Sequence, residues 1–226
     1  YEIDNSLRFN NDGYLDRTPS VAGNRKTWTW SGWLKRGTLG SRQHIFTAGD
    51  TSGGDNSFYF EWYSDDTILI GDYTSSSWVW YKFTTQVFRD AGAWYHVTLA
   101  YDTTQGTAGD RIKLYINGDQ VTAFSTDTNP SEDYEGYVNS TVDHTIGNMA
   151  QFSSPLEGYL AEVYFIDGSA ELPSSFGELD STTNQWIPLD SDDVKDAVTF
   201  GTNGFYQKYN STELNASFED SAEHQI

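Results

Sequence analysis

With 226 residues, 16% of them aromatic and only five prolines, the chain has the apolar material for one sandwich-sized core, so a single domain is the default. Thirteen basic against 33 acidic side chains leave a net charge of −20, which repels phosphate and argues against nucleic acid as a partner. No cysteine is present, which excludes disulfides, thiolate metal sites and thiol catalysis, and no run of eighteen apolar residues predicts a membrane span.

From the first residues onward the chain reads as short segments, apolar on alternate positions and punctuated by Gly, Asn, Asp, Ser and Thr, with no helical period sustained over three turns. Strands are predicted near Ser6–Phe9, Tyr14–Leu15, Trp28–Lys35, His44–Ala48, Ser57–Tyr63, Thr67–Tyr73 and Trp78–Phe83. The run Trp94–Val121 is the most explicit. Tyr95, Val97, Leu99 and Tyr101 share one face, and Trp94, His96, Thr98 and Ala100 the other. Ile112, Leu114 and Ile116 repeat the alternation before Asn117-Gly118 turns the chain, which predicts an antiparallel pair with one wet face. Later strands are expected at His144–Ile146, Gly158–Asp167 and Phe205–Tyr209, with one brief helical turn at Ser191–Ala197. Many short strands without a repeat period predict an all-β protein, a two-sheet antiparallel sandwich or jelly roll and not a propeller.

Ordered motifs carry a family resemblance: Ser6–Thr18 (SLRFNNDGYLDRT), Thr27–Gly37 (TWTWSGWLKRG), His44–Asp50 (HIFTAGD), Trp94–Asp102 (WYHVTLAYD), Ile112–Val121 (IKLYINGDQV), and HTIGN at His144 followed by LEGYLAEVYFIDG through Gly168. In this order they resemble the laminin-G-like, concanavalin A-like lectin/glucanase sandwich. FGELDSTTNQWIP at Phe176–Pro188 and TFGTNGFYQKYN at Thr199–Asn210 are similar to versions found in structural proteins of tailed bacteriophages. The resemblance implies a concanavalin A-like jelly roll over residues 1–170 and a virion or extracellular setting. The acidic tail from Glu171 holds aromatics spaced to strap across a sandwich, so residues 171–210 are expected to pack on it as an extension. Residues 211–226 are expected to be a linker or the start of a further segment. A first residue of Tyr in place of Met leads us to expect a piece of a longer polypeptide.

The fold hosts lectins, glycosidases and adhesion modules alike, so function has to be read from sites. Retaining glycosidases need two carboxylates about 5 Å apart, and relatives of the laminarinase type carry them as Glu-x-Asp-x-Glu or Glu-x-Asp-x-x-Glu. Glu2-Ile3-Asp4 and Glu178-Leu179-Asp180 both lack the second glutamate. His44, His96, His144 and His224 are scattered, with no Gly-x-Ser-x-Gly elbow and no His-x-x-x-His zinc spacing, so structural histidines are the expected reading. No catalytic residue is assigned and the chain is expected not to be an enzyme.

Carbohydrate binding is the leading expectation, because a sugar's C–H face packs on Trp or Tyr. Phe58, Phe60 and Trp62 share a core-like face that leaves Tyr59 and Tyr63 outward, while Trp78 and Trp80 oppose Val79, Tyr81 and Phe83. Tyr63, Tyr73, Trp78 and Trp80 form the candidate platform; the competing reading is cross-strand packing that binds nothing. The resemblance also implies a calcium ion at the rim, held by hard oxygen ligands. Asp50, Asp55 and Asn56, and Asp127, Asn129 and Asp133, cluster in predicted loops but follow no EF-hand spacing and equally make turns, so no metal ligand is assigned. Residues 1–42 hold seven basic side chains (Arg8, Arg17, Arg25, Lys26, Lys35, Arg36 and Arg42) against four acidic ones, either a strip that docks a second copy in a homo-oligomer or solvated strand ends. The expected function is a non-enzymatic adhesion module that binds glycan or cell-surface polysaccharide on a virion, fibre or other extracellular assembly beside its other subunits. A purely architectural subunit is the alternative, and a laminarinase-type hydrolase comes last.

Overall fold

The alternation becomes sixteen strands and one short helix in a computed structural model, which describes residues 1–10, 13–50, 55–149 and 154–210. In chain order the strands are β1 Leu7–Asn10, β2 Leu15–Arg17, β3 Thr27–Arg36, β4 Gln43–Gly49, β5 Ser57–Trp62, β6 Ile68–Thr74, β7 Ser77–Thr84 and β8 Trp94–Asp102. There follow β9 Ile112–Ile116, β10 Asp119–Gln120, β11 Phe124–Asp127, β12 Asp143–Ile146, β13 Glu157–Asp167, β14 Gly177–Leu179, β15 Trp186–Pro188 and β16 Phe205–Gln207, with helix α1 at Ser191–Ala197. The first sheet runs β1-β13-β3-β8-β9-β10, with β16 also on β13, and the second runs β11-β7-β6-β5-β4-β12-β2; β14 and β15 form a separate hairpin. Their pairings are antiparallel. The architecture is an all-β two-sheet sandwich.

The core lies between the inner faces. Trp28, Trp30 and Leu34 of β3 meet Phe46, Phe58, Phe60 and Trp62 of β4 and β5. Trp28 stacks on Tyr101 at 4.6 Å, and Trp30 meets Phe60 edge-on at 5.1 Å. Rings of this size supply most of the area that such a core removes from water.

The expected wet face of β8 is dry. His96, Thr98 and Ala100 are buried because the segment from Phe176 to Phe200 lies across the outer face of the first sheet. Trp186 of β15 lies on His96, ring centroids 5.9 Å apart, and its indole N–H donates to His96 Nδ1 at 2.9 Å. Gly118 sits under the same indole, where an added Cβ would lie 2.5 Å from the ring, and its φ of +85° completes the Asn-Gly turn. Phe176, Val194, Val198 and Tyr206 pack with Tyr164 and Ile166 of β13 in a second apolar cluster. Tyr164 and Tyr206 stack at 4.4 Å, and both hydroxyls donate to the buried Glu162 carboxylate. Helix α1 forms over the residues expected to make a helical turn, with Asp190 as N-cap accepting from the Asp192 N–H.

The short strands β10, β11, β14 and β15 were not expected; at two to four residues each they are too short for an alternation to be read. The basic strip is mostly spent inside the chain. Arg25 pairs with Glu135, Lys26 with Asp133, Arg36 with Asp66 and Arg42 with Glu61, and the Arg36 side chain is fully buried.

Candidate functional site: an aromatic row on the second sheet

Strand β5 turns Phe58, Phe60 and Trp62 inward and Tyr59 and Glu61 outward, with Tyr63 continuing the outward side just past its end. Register then builds the outer face: Tyr59 stands opposite Gly71 of β6 and Gly71 opposite Tyr81 of β7, Leu69 faces Phe83, and Tyr73 faces Trp78. The rings make a continuous chain. Tyr63 to Phe83 is 4.9 Å between centroids, Phe83 to Tyr81 6.0 Å, Tyr81 to Trp78 5.1 Å and Trp78 to Tyr73 5.2 Å. All five are half-buried, and Tyr59 lies buried beneath at 5.9 Å from Trp78.

Trp80 does not belong to this row, which corrects the expectation that it shares a face with Trp78. Asp72 pairs with Trp80 while the next residue, Tyr73, pairs with Trp78, so Val79 is an extra residue in β7. Such a β-bulge breaks the period of two and sends residues 78 and 80 to opposite faces. Trp80 is fully buried near Phe58 and Tyr101, and its indole N–H donates to Asp72 Oδ2 at 3.1 Å. The same bulge brings Tyr81 and Phe83, expected to oppose Trp78, onto its side. Of the four expected platform residues, Tyr63, Tyr73 and Trp78 come together on one face, and Tyr81 and Phe83 complete it.

The hairpin that carries the row turns at Ser75 and Ser76, both left-handed with φ of +50° and +63°. Side chains other than glycine resist that conformation, and Asp55 holds it by accepting from the Ser76 N–H at 2.9 Å. At the far end the Arg42 guanidinium lies over the rings of Tyr59 and Tyr63, at 5.3 and 5.9 Å. Its Nε also donates to Glu61 at 2.8 Å, and the Glu61 side chain has no exposure. His44 Nε2 is 3.1 Å from Glu61 Oε2. Met149 closes over Tyr59 and Leu69. The result is a ridge of ring faces and phenol hydroxyls beside a half-exposed guanidinium paired to a buried carboxylate, a surface fitted to stacking and hydrogen bonding.

Behind the row, complete burial raises the Asp72 carboxyl to about 7, against the opposing pull of the Trp80 hydrogen bond. Burial lowers His96 to about 3 and His144 to about 4, so both are neutral. His96 Nδ1 accepts from Trp186, which leaves Nε2–H to donate to Ser31. These two histidines are structural, and His224 lies outside the described residues. Glu2 and Asp4 are exposed ahead of β1, and Asp180 accepts from the Thr182 and Thr183 N–H groups of the β14–β15 turn.

Among the described residues no three His, Asp or Glu side chains are placed to hold a metal ion. Asp55 holds Ser76, Asp127 pairs with Lys82 and Asp133 with Lys26. No helix among the described residues is long and apolar enough to cross a membrane.

Solved structures with the same fold include a Bacteroides ovatus protein assigned by inference to carbohydrate binding, at a TM-score of 0.65 and 14% identity over 96% of this chain and 55% of that one. Another is the heptameric SAP-like pentraxin of Limulus polyphemus, at 0.54 and 13% over 82% and 92%. A third is the NanB sialidase of Streptococcus pneumoniae, at 0.52 and 14% over 79% and 29%. The chain thus spans about half of the first protein and under a third of the sialidase, and identities this low speak for the fold alone. No curated protein sequence matches it. Residues 9–173 match the laminin G-type profile of the concanavalin A-like lectin/glucanases superfamily, most of the sandwich and well over half the chain. With the sheet order and core described above, the chain therefore belongs to the concanavalin A-like lectin/glucanase superfamily.

Proposed function

We propose that the chain is a non-enzymatic carbohydrate-binding module that presents the outer face of its second sheet to glycan. The carrying observation is the continuous row Tyr63–Phe83–Tyr81–Trp78–Tyr73, half-exposed on a rigid sheet. A pyranose ring places its C–H face on such a side chain and its hydroxyls against the phenols and Arg42. The inferred carbohydrate binding of the Bacteroides ovatus protein with this fold supports the reading. Binding without bond cleavage is supported by the commitments of the buried carboxylates near the row: Glu61 to Arg42, and Asp72 to Trp80. The virion or extracellular setting, as an adhesion or decoration module in a homo-oligomeric assembly, rests on the resemblance of residues 176–188 and 199–210 to phage structural proteins.

The test is a glycan array and polysaccharide affinity electrophoresis with the native chain and with Trp78→Ala/Tyr81→Ala. Loss of two stacking platforms is expected to weaken retention at least tenfold, about 1.4 kcal/mol or more. Unchanged retention by a folded variant would remove the site. An architectural role would instead give no retention by either protein, together with an oligomer in light scattering that the double substitution dissociates.

A further inference from the structure

At the edge opposite the aromatic row's hairpin, β2 of the second sheet and β16 of the first stand apart, joined by a hydrogen bond from Arg17 Nη1 to the Asn203 carbonyl at 3.4 Å. A cleft of about 540 Å³ opens there between Phe46 and Ile146 on one side and Phe165 and Phe205 on the other. Phe205 stacks on Phe165 at 5.5 Å, and Phe46 lies 5.9 Å from Phe165, so the walls are largely ring faces. The volume is in the range of small-molecule sites.

Two polar groups on the lining are out of keeping with a packing gap. Asn139 is 1% exposed and Gln207 7%, yet Asn139 Oδ1 and Gln207 Oε1 have no hydrogen-bond partner. Buried acceptors are ordinarily satisfied. The orientation of the Asn139 amide is set by its surroundings: Nδ2 donates to Asp167 Oδ1 and to the Asn24 carbonyl, both at 2.9 Å, so a flipped amide would turn its oxygen on two acceptors. Its backbone is left-handed, φ +65°, and the N–H donates to His144 Nε2 at 2.9 Å. His144 in turn gives Nδ1–H to the Val142 carbonyl. The histidine therefore has no capacity left for the cleft, and its role is to hold Asn139 in a strained pose with the oxygen unspent.

We infer that this edge cleft is a second binding site, distinct from the aromatic row, for a small uncharged ring that carries at least two hydroxyl groups, of the phenolic class. One hydroxyl donates to Asn139 Oδ1. The second meets the Gln207 amide, and because a hydroxyl both donates and accepts it serves either orientation of that amide. The ring packs on Phe46, Phe165 and Phe205. A sugar fits less well against Phe46, Phe165 and Phe205, where hydroxyls on that side would face phenyl rings without partners, although Asp16, Arg17 and Asn203 also line the cleft. The one guanidinium on the lining, Arg17, is partly engaged by the Asn203 carbonyl at 3.4 Å and lies beside Asp16, so an anion gains no unopposed positive charge.

The probes are resorcinol, 1,3-dimethoxybenzene and methyl glucoside, titrated into the native chain by calorimetry and ligand-observed NMR. Resorcinol is expected to bind, and the dimethoxy analogue, with the same ring and no donor, about tenfold more weakly or worse. Gln207→Met keeps length and apolar reach but removes the amide, and is expected to lower resorcinol affinity about tenfold while leaving polysaccharide retention by the aromatic row unchanged. Leu15→Trp, on the half-buried rim of β2, is expected to abolish binding by narrowing the mouth, and serves if Gln207→Met fails to fold. Equal affinity for resorcinol and its dimethoxy ether, tighter binding of methyl glucoside, or indifference of resorcinol to Leu15→Trp would overturn the assignment. So would a crystal soaked with resorcinol in which the cleft holds only water.

Discussion

The two outer faces of the sandwich are built from the same alternation and meet different fates. On the first sheet, Ser31, His96, Thr98 and Tyr164 point away from the core and are nevertheless buried, because Trp186, Phe176 and helix α1 lie over them. On the second sheet, Tyr63, Tyr73, Trp78, Tyr81 and Phe83 also point away, and no such strap from residues 171–209 joins their cluster. Period-two patterning separates a strand's faces; what covers a face comes from residues far along the chain. The covered face spends its polar groups on one another and on the strap, while the uncovered one keeps ring surface available.

The largest test of that contrast uses two tryptophans only two residues apart. Trp80→Ala empties a fully buried site and removes one hydrogen bond from the buried Asp72, so about 3–5 kcal/mol of stability is expected to be lost in urea unfolding. Trp78→Ala on the open face is expected to cost about 1 kcal/mol. Similar losses at both positions would mean that the bulge at Val79 does not divide them.

Next comes pH. Asp72 holds its proton to about 7 in the folded chain against about 4 when unfolded, so between those values the folded state binds more protons and stability falls as pH rises. Asp72→Asn is expected to add roughly 2–4 kcal/mol at pH 8 and little at pH 4. His96 and His144 act in the other direction: unfolded histidines take up protons below about pH 6.5 while these two stay neutral, so stability is lost on acidification toward pH 3 to 4. A variant without Asp72 should therefore show a steeper acid limb, and identical pH curves for the two proteins would contradict burial of that carboxyl.

A smaller effect than at Trp80 or Asp72 is expected at the strap. Trp186→Phe keeps a ring over His96 but removes the N–H that the imidazole accepts, for a loss of about 1–2 kcal/mol in urea unfolding. If the strap were loosely held, no change would be seen.

Much of the framework was legible because burial writes itself as alternation: β3, β5, β8, β9 and β13 each carry it, and the Asn117-Gly118 turn fixes its own hairpin. The site was legible in part. Tyr63, Tyr73 and Trp78 could be read as outward, but Val79 carries no mark of a bulge, and one uncounted residue moved Trp80 inward and Tyr81 and Phe83 outward. Neither could the sequence disclose that Trp186 would reach across 90 positions to dry the face of β8. The cleft was equally hidden, since nothing in the sequence around Asn139 shows that its amide donors are spent on Asn24 and Asp167 and its backbone N–H on His144.

The pairing of the half-exposed Arg42 with the buried Glu61 bears on how this surface would behave in different media. The cation nearest the rings brings its own counterion, so the ridge exerts little long-range pull, while the chain as a whole repels polyanions through its net charge of −20. Attachment would be governed by close-range fit and be tolerant of brine, and adding electrolyte would favour approach to acidic capsules by damping the repulsion instead of dissolving the grip.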